Sequence, residues 1–196
     1  MELPLKTDIL TVSPALRLLP ARTSDAAELS SLVAANMDHL GVFMPKVVGL
    51  NTLEAAQSYL HSVVESNGDG ELLEWHIFDN DTLCGAIRLN HIEPENRKLS
   101  IGYYIGAGFQ GRGLATSSIR AVLRFVFEQL QFNRVQLKCA STNVASQRVA
   151  ERLGFSWEGL LRQAELIDGQ YVDHYVYGLL RSEFEAAAPI PLTRAA

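Results

Sequence analysis

The chain has 196 residues, a length that predicts one domain, or two small ones with little left for linkers. Hydrophobic residues make up 47% of it and charged residues 20%, a composition that can bury a core and so excludes intrinsic disorder for most of the chain. Its 22 acidic residues outnumber the 17 Lys and Arg residues, giving a formal charge of -5. This balance disfavours a nucleic-acid-binding surface, and we expect no direct nucleic-acid partner.

The cysteines and the N-terminal residues indicate the compartment. Cys84 and Cys139 each stand alone in an apolar run, so we expect two buried free thiols in a reducing compartment. The N-terminal segment lacks the basic and apolar regions of a secretory signal, and no stretch approaches the roughly 18 apolar residues of a membrane span. We therefore expect a soluble cytoplasmic protein without a membrane partner.

The first half of the chain predicts a strand, two helices and a meander. The apolar run Leu16 to Leu19 predicts a strand, and residues 23–25 are helix-capping types that introduce an apolar-periodic stretch. After a break from Gly41 to Gly49, apolar residues from Leu53 to Val64 keep helical spacing. The pattern then changes to short runs separated by turn residues, which predict three antiparallel strands over 72–78, 83–89 and 98–105.

The second half begins with the clearest helix of the chain. Its apolar residues, from Ile119 to Leu130, recur at positions i, i+3, i+4, i+7, i+8 and i+11. A strand, a short helix and a final hairpin follow, over 134–139, 145–153, 155–167 and 171–180. We expect residues 1–185 to form one α/β (α+β) domain, in which helices flank a mixed, twisted sheet of about six to seven strands. Residues 186–196 have no periodicity and predict a flexible tail.

Four glycines within the eight residues 106–113 connect a predicted strand to the clearest helix. Such a turn predicts a phosphate site, because glycines let the backbone approach a ligand and the helix N-terminus attracts anions. Gly106-x-Gly108-x-x-Gly111 matches the dinucleotide-binding fingerprint. A Rossmann site is nevertheless disfavoured, because the next strand ends without a carboxylate and three antiparallel strands precede the turn. A P-loop is disfavoured because no Gly-Lys-Ser/Thr sequence occurs.

Two segments resemble the GNAT superfamily of N-acetyltransferases. Residues 110–115, Gln-Gly-Arg-Gly-Leu-Ala, match its Gln/Arg-x-x-Gly-x-Gly/Ala acetyl-CoA loop. Residues 143–155 resemble its Asn-x-x-Ser…Glu-x-x-Gly-Phe segment, and the order of elements from about residue 16 to residue 180 matches the same core. Residues 155–177 are similar to the Rim-type, RimL-like enzymes, which acetylate the N-terminal amines of ribosomal proteins.

The resemblance implies acetyl-CoA as co-substrate and a binding site around the glycine-rich turn. In this superfamily the strand before the turn splays from its neighbour and bonds the pantetheine arm through its main chain. The implied acetyl-CoA-binding residues are Tyr103, Ile105, Gln110, Gly111, Arg112, Gly113, Leu114, Ala115 and Asn143. Asn143 is also placed to cap the short helix that follows it, and the two roles are compatible.

The resemblance further implies Glu165 as the general base that takes a proton from the amine. An exposed strand carboxylate is the alternative role. Ser146 lies on the inward face of the predicted short helix, where its hydroxyl is placed to protonate the thiolate; a hydroxyl bonded to its own helix backbone is the alternative. Because tyrosine is the acid in other branches, Tyr104, Tyr175 and Tyr177 are further candidates. The five histidines show no ligand spacing, and we expect no metal.

The expected acceptor is an N-terminal α-amine, that of a ribosomal protein in the Rim-type enzymes. An α-amine has an unperturbed pKa of about 8, against about 10.4 for a lysine side chain, so one modest carboxylate base is enough. In this fold, residues around 36–49 and the last hairpin set acceptor specificity. Met37, His39, Phe43 and Met44 either line an acceptor groove or form a satellite hydrophobic cluster.

Two other functions stay open at this point. One is acetylation of a small amine, such as a polyamine or an antibiotic-like molecule, because the fold alone does not select the acceptor. The other is a non-catalytic acyl-CoA-binding module, which would keep residues 110–115 but lack a working base and acid. A homodimer that shares its C-terminal hairpins is also compatible with the sequence.

Overall fold

Within the part of the chain that the structure describes, eight strands form one sheet with helices on both faces. The computed structural model describes residues 7–186, apart from the side chains of residues 68 and 69. The strands are β1 Leu10–Thr11, β2 Leu16–Pro20, β3 Leu73–Asp79, β4 Thr82–Glu93, β5 Lys98–Ile105, β6 Arg134–Ala140, β7 Ser156–Ile167 and β8 Gln170–Leu180. The helices are α1 Ala26–Ala34, α2 Met37–Gly41, α3 Pro45–Val48, α4 Leu53–Asp69, α5 Leu114–Arg124, α6 Val144–Arg152 and α7 Arg181–Ala186.

The sheet has the strand order β1-β2-β3-β4-β5-β6-β8-β7. All neighbouring strands are antiparallel except β5 and β6, which run parallel and are joined through α5. The predicted single domain with a mixed sheet is confirmed. The sheet has one strand more than the upper expectation of seven, because the two-residue edge strand β1 is too short to show hydrophobic alternation.

Both faces of the sheet are covered, and β3 shows this most clearly because all seven of its residues are buried. Leu73, Trp75 and Ile77 belong to the core that includes the buried face of α5. Phe78 points to the opposite face and packs in the core formed with α1 and α4, as the two-residue period of a strand requires. On that second face the buried His76 ring holds the Asp25 carboxylate, with Nδ1 2.8 Å from Oδ2.

Two stretches differ from the sequence-based expectation. The predicted break from Gly41 to Gly49 contains the end of α2 and the whole of α3, helices of five and four residues. Such helices are too short for a hydrophobic period to reveal, and packing rather than propensity stabilises them. The long predicted helix changes after Arg124 into a π-turn, Phe125–Gln129. This wider turn buries three consecutive residues, Phe125, Val126 and Phe127, which a regular α-helix cannot do on one face.

A gap opens between the two parallel strands. Lys98–Ile101 of β5 pair with Arg134–Leu137 of β6, and beyond this point the ladder between them ends. The rest of β5, residues 102–105, still pairs with β4 on its other edge, and the rest of β6 pairs with β8. The strands therefore diverge toward the glycine-rich turn, and the main-chain groups of β5 that face the gap have no partner in the sheet.

Two expectations concern the chain as a whole. Among the described residues no helix is long and apolar enough to cross a membrane. Cys84 and Cys139 are both buried and free, as expected. All but the first residue of the predicted tail over 186–196 lies outside the described residues.

Candidate active site

The glycine-rich turn presents an uncapped helix N-terminus. Gly111 and Gly113 have φ angles of 73° and 77°, in the left-handed region that favours glycine. Gly113 is the N-cap residue of α5, and no side chain among the described residues caps this helix. The first N–H groups of a helix lack partners within it, so Leu114 and Ala115 offer main-chain donors beside the positive end of the helix dipole. This arrangement fits an anionic group such as a pyrophosphate.

A cavity of about 510 Å³ lies beside this turn; we call it the first cavity. Its lining includes eight of the nine residues implied to bind acetyl-CoA: Tyr103, Ile105, Gln110, Gly111, Gly113, Leu114, Ala115 and Asn143. The ninth, Arg112, does not line it. The Arg112 guanidinium instead pairs at 2.7 Å with the nearly buried carboxylate of Asp79 and lies over the Phe109 ring.

Two arginines that no sequence motif singled out also line the first cavity. Arg148 and Arg152 lie four residues apart on α6, so they project from one face of that helix into the cavity wall. Both are exposed, which suits contact with charged groups at the cavity mouth. The signal that would have found them is this i, i+4 spacing directly after the Asn-x-x-Ser segment.

A second cavity, of about 240 Å³, is lined by residues of both β5 and β6 beside the gap between them. Glu165 and His174 line this second cavity, together with Lys46 of α3 and Lys138 of β6. The lining that it shares with the first cavity consists of Phe43, Met44, Tyr103, Asn143 and Ser146. The two cavities therefore meet where α6 begins.

Ser146 lies at this meeting point and is held from two sides. The Asn143 side chain accepts a hydrogen bond from the Ser146 main-chain N–H at 3.1 Å, so Asn143 does cap α6. The Ser146 hydroxyl contacts the Tyr103 hydroxyl at 3.1 Å, and not the backbone of its own helix. Burial raises the pKa of Tyr103 to about 12, although the bond to Ser146 acts to lower it, so this phenol stays protonated at neutral pH.

The structure distinguishes among the tyrosines. Tyr175 and Tyr177 line neither cavity; Tyr175 stacks edge-on against Trp157, and Tyr177 is buried in the core. Tyr104 lines the first cavity but not the second. Tyr103, implied only as a main-chain contact, is thus the tyrosine whose hydroxyl reaches Ser146. This contact joins residues 43 positions apart, so no local sequence pattern indicates it.

Glu165 and His174 form the polar pair of the second cavity. The Glu165 Oε2 atom lies 3.2 Å from His174 Nε2, and the two side chains are 33% and 16% exposed. Glu165 is therefore partly shielded and faces a cavity, unlike a fully exposed strand carboxylate. Among the described residues, no group of three or more His, Cys, Asp or Glu side chains is placed to hold a metal ion.

The helices between residues 36 and 49 close one side of both cavities. Phe43 and Met44 line both, and His39 lines the first, where its Nε2 lies 3.2 Å from the Ile105 carbonyl oxygen. Met37 is exposed and lines neither cavity. Met44 also packs against the core under α1 and α4, so the groove and the satellite cluster are partly the same residues.

Comparison with known proteins agrees with this geometry. The family model "Acetyltransferase (GNAT) domain" matches residues 15–156. The putative ribosomal N-acetyltransferase YdaF of Bacillus subtilis (strain 168) is 32% identical over 174 residues, which span 87% of this chain and 92% of YdaF. 

Two solved structures are also similar. RimL, a ribosomal alpha-N-protein acetyltransferase in complex with coenzyme A, superposes with a TM-score of 0.85 at 29% identity, covering 88% of this chain and 98% of RimL. The microcin self-immunity acetyltransferase MccE, in complex with acetyl-CoA and AMP, superposes with a TM-score of 0.85 at 26% identity. The match covers 91% of this chain and 99% of MccE. The resemblance of the two sequence segments is thus confirmed, and the chain belongs to the GNAT family of N-acetyltransferases.

Proposed function

We propose that this chain acetylates the N-terminal α-amine of a ribosomal protein, with acetyl-CoA as the donor. The observation that carries the proposal is the meeting of the two cavities at Tyr103, Asn143 and Ser146. Transfer between two substrates requires that a thioester and an amine reach one point from different directions, and holding both there removes much of the entropic barrier.

The first cavity is assigned to acetyl-CoA. The uncapped N-terminus of α5 suits the pyrophosphate, and Arg148 and Arg152 add positive charge at the wall. The edge of β5 over residues 102–105 has no strand partner at the gap and offers main-chain groups to the amides of the pantetheine arm. Arg112 contributes to acetyl-CoA binding only if its guanidinium leaves Asp79, so its role in binding is secondary to that of the two arginines of α6.

The second cavity is assigned to the acceptor amine, with Glu165 as the general base. The amine nitrogen attacks the thioester carbonyl carbon, its proton passes to the Glu165 carboxylate, and the carbon–sulfur bond breaks as the amide forms. We assign protonation of the departing thiolate to the Ser146 hydroxyl, which then takes a proton from the Tyr103 hydroxyl in contact with it. Solvent returns a proton to Tyr103 and removes the amine's proton from Glu165, which closes the cycle. Main-chain N–H groups of β5 at the gap are the proposed donors to the oxyanion.

The charges of the second cavity favour a protein N-terminus over a polyamine. Lys46 and Lys138 line it, both are exposed, and neither pairs with an acidic side chain among the described residues. The several positive charges of a polyamine would be repelled by these two lysines, whereas a peptide N-terminus brings one amine and so meets less repulsion. The likeness to MccE, whose structure contains AMP, supports a different small-molecule amine as the second candidate function.

The relatives also support one property outside the site. The ribosomal names of YdaF and RimL support a cytoplasmic location for this chain, where ribosomal proteins are made. A homodimer that shares the C-terminal hairpins stays a prediction.

The test combines binding with turnover. Purified protein is titrated calorimetrically with acetyl-CoA, and thiol release is then followed with three acceptors: peptides that begin with Ser or Ala, the same peptides with a blocked N-terminus and one internal lysine, and spermidine. We expect binding of acetyl-CoA and turnover only of free N-termini. Turnover of spermidine alone would overturn the acceptor assignment, and absence of acetyl-CoA binding would overturn the assignment of the first cavity.

A further inference from the structure

Strand β7 is irregular where it approaches the second cavity. Leu161 of β7 pairs with His174 of β8, and the next paired residues are Glu165 and Val172. Three residues of β7 thus stand opposite the single residue Asp173, so the strand carries two extra residues at this bulge. The bulge lies directly before the proposed base.

The two extra residues determine where Glu165 lies. In an uninterrupted ladder that starts from the Leu161 pair, Gln163 would stand opposite Val172, and Glu165 would stand opposite Gln170. That position is two residues, about 7 Å, farther along the strand from His174. Because an insertion of two preserves the alternation of faces, the bulge moves Glu165 along the strand and leaves it on the face of His174.

The Asp173 side chain holds the bulge closed. Its Oδ1 accepts a hydrogen bond from the Gln163 main-chain N–H at 2.7 Å. Gln163 has a φ of 52°, a left-handed conformation that is costly for a residue other than glycine and persists only where its surroundings support it. The Asp173 main-chain oxygen also accepts the Ser141 N–H at 2.8 Å, just before the turn into α6. Asp173 therefore joins the strand of the base to the segment that leads to Ser146.

His174 holds the carboxylate itself. Successive residues of a strand project to opposite faces, so Asp173 and His174 act on β7 from the two sides of the hairpin. The His174 ring is only 16% exposed, and its Nε2 lies 3.2 Å from Glu165 Oε2. Of the two carboxylate oxygens of Glu165, one is thus engaged by the imidazole and the other is left for the acceptor amine.

We propose that Asp173 and His174 are positioning residues for Glu165: Asp173 clamps the bulge that brings Glu165 to the second cavity, and His174 orients its carboxylate there. Neither role is assigned by the family motifs, and both rest on the proposed function of Glu165 as the base. Displacement of a reacting group by about 1 Å can cost about 100-fold in rate. Loss of either contact is therefore expected to lower kcat far more than it alters acetyl-CoA binding, because neither residue lines the first cavity.

The experiment uses paired variants of the whole chain, with kcat and the KM for acetyl-CoA measured on a Ser-initiated peptide. Asp173→Ala and His174→Ala are expected to lower kcat by about 10- to 100-fold with the KM unchanged. Asp173→Asn keeps an oxygen that can accept the Gln163 N–H, and His174→Gln keeps a side-chain donor, so each should recover much of the loss. Far-UV circular dichroism and the acetyl-CoA affinity report whether each variant is folded.

A double-mutant cycle separates positioning from general damage. In a Glu165→Gln background, Asp173→Ala should lower kcat no further, because it acts only through Glu165. Losses that multiply, or alanine variants as active as wild type, would overturn the inference while leaving the base in place. If Glu165→Gln itself keeps full activity, the base assignment fails, and if wild type transfers no acetyl group to any N-terminus, the proposed function fails.

Discussion

Gly113 is the position where one substitution tests the glycine-rich turn most sharply. Its φ of 77° is left-handed, it begins α5, and it lines the first cavity. A Cβ added there would meet no atom of the described residues within 4 Å, so Gly113→Ala introduces backbone strain and no clash with them. That strain is about 1–2 kcal/mol. If this strain destabilises only the acetyl-CoA-bound state, the affinity for acetyl-CoA drops by about 5- to 30-fold.

Gly113→Asp adds a charge at the same place. Asp tolerates the left-handed region better than Ala, so strain contributes less. Its carboxylate would lie beside the site assigned to the pyrophosphate, and two like charges about 4 Å apart near a protein surface repel by about 4 kcal/mol. This corresponds to an affinity loss of about 1000-fold. Gly113→Asn has the same size without the charge and is the matched control.

The assay is calorimetric titration of each variant with CoA at low and high ionic strength. The Asn variant should bind within about 10-fold of wild type, and the Asp variant should bind far more weakly, with the gap between them narrowing in high salt. Circular dichroism shows whether each variant is folded. An Asp variant that binds CoA as tightly as the Asn variant would refute the phosphate-binding role of this turn.

Three further predictions concern other parts of the structure. Glu165→Gln should lower kcat by about 100-fold or more at neutral pH with unchanged acetyl-CoA affinity, whereas Glu28→Gln, an exposed carboxylate of α1, should have no effect in the same steady-state assay. Arg148→Ala should raise the KM for acetyl-CoA several-fold with little change in kcat, and the effect should shrink with added salt; a fall in kcat alone would contradict it. Burial acts to raise the pKa of Asp25, but the hydrogen bond and charge of His76 hold that pKa below the usual value for an aspartate. Asp25 therefore stabilises the fold above the pKa of an unfolded aspartate and loses this contribution as the pH falls through its lower folded pKa, so the melting temperatures of wild type and Asp25→Asn should converge in acid.

The local parts of the site could be predicted from the sequence. The turn around Gly113 could be predicted because four closely spaced glycines before a strongly periodic helix are typical of a turn. Ser146 faces inward because Val149, Ala150 and Leu153 set the buried side of the same short helix. The resemblance to the GNAT superfamily then added Glu165, which hydrophobic periodicity alone does not single out.

The remaining features depend on contacts between distant segments. The bulge before Glu165 comes from a change of register against β8, and neither strand shows it in its own pattern. The contact between Tyr103 and Ser146 depends on how far β5 and β6 diverge, which is set by the helices packed on the sheet. The pairing of Arg112 with Asp79 likewise joins a turn to a strand end 33 positions earlier. The sequence therefore does not predict that Arg112 is absent from the lining of the first cavity.

The meeting of the two cavities at Ser146 is the central claim, and a bisubstrate ligand tests it most directly. In such a ligand the CoA sulfur is joined through an acetyl bridge to the N-terminal amine of a Ser-initiated peptide. If both cavities bind their halves at once, the conjugate should bind about 100-fold or more tightly than CoA, because the second contact becomes intramolecular. A conjugate that binds no more tightly than CoA would contradict the claim that the two cavities form one active site.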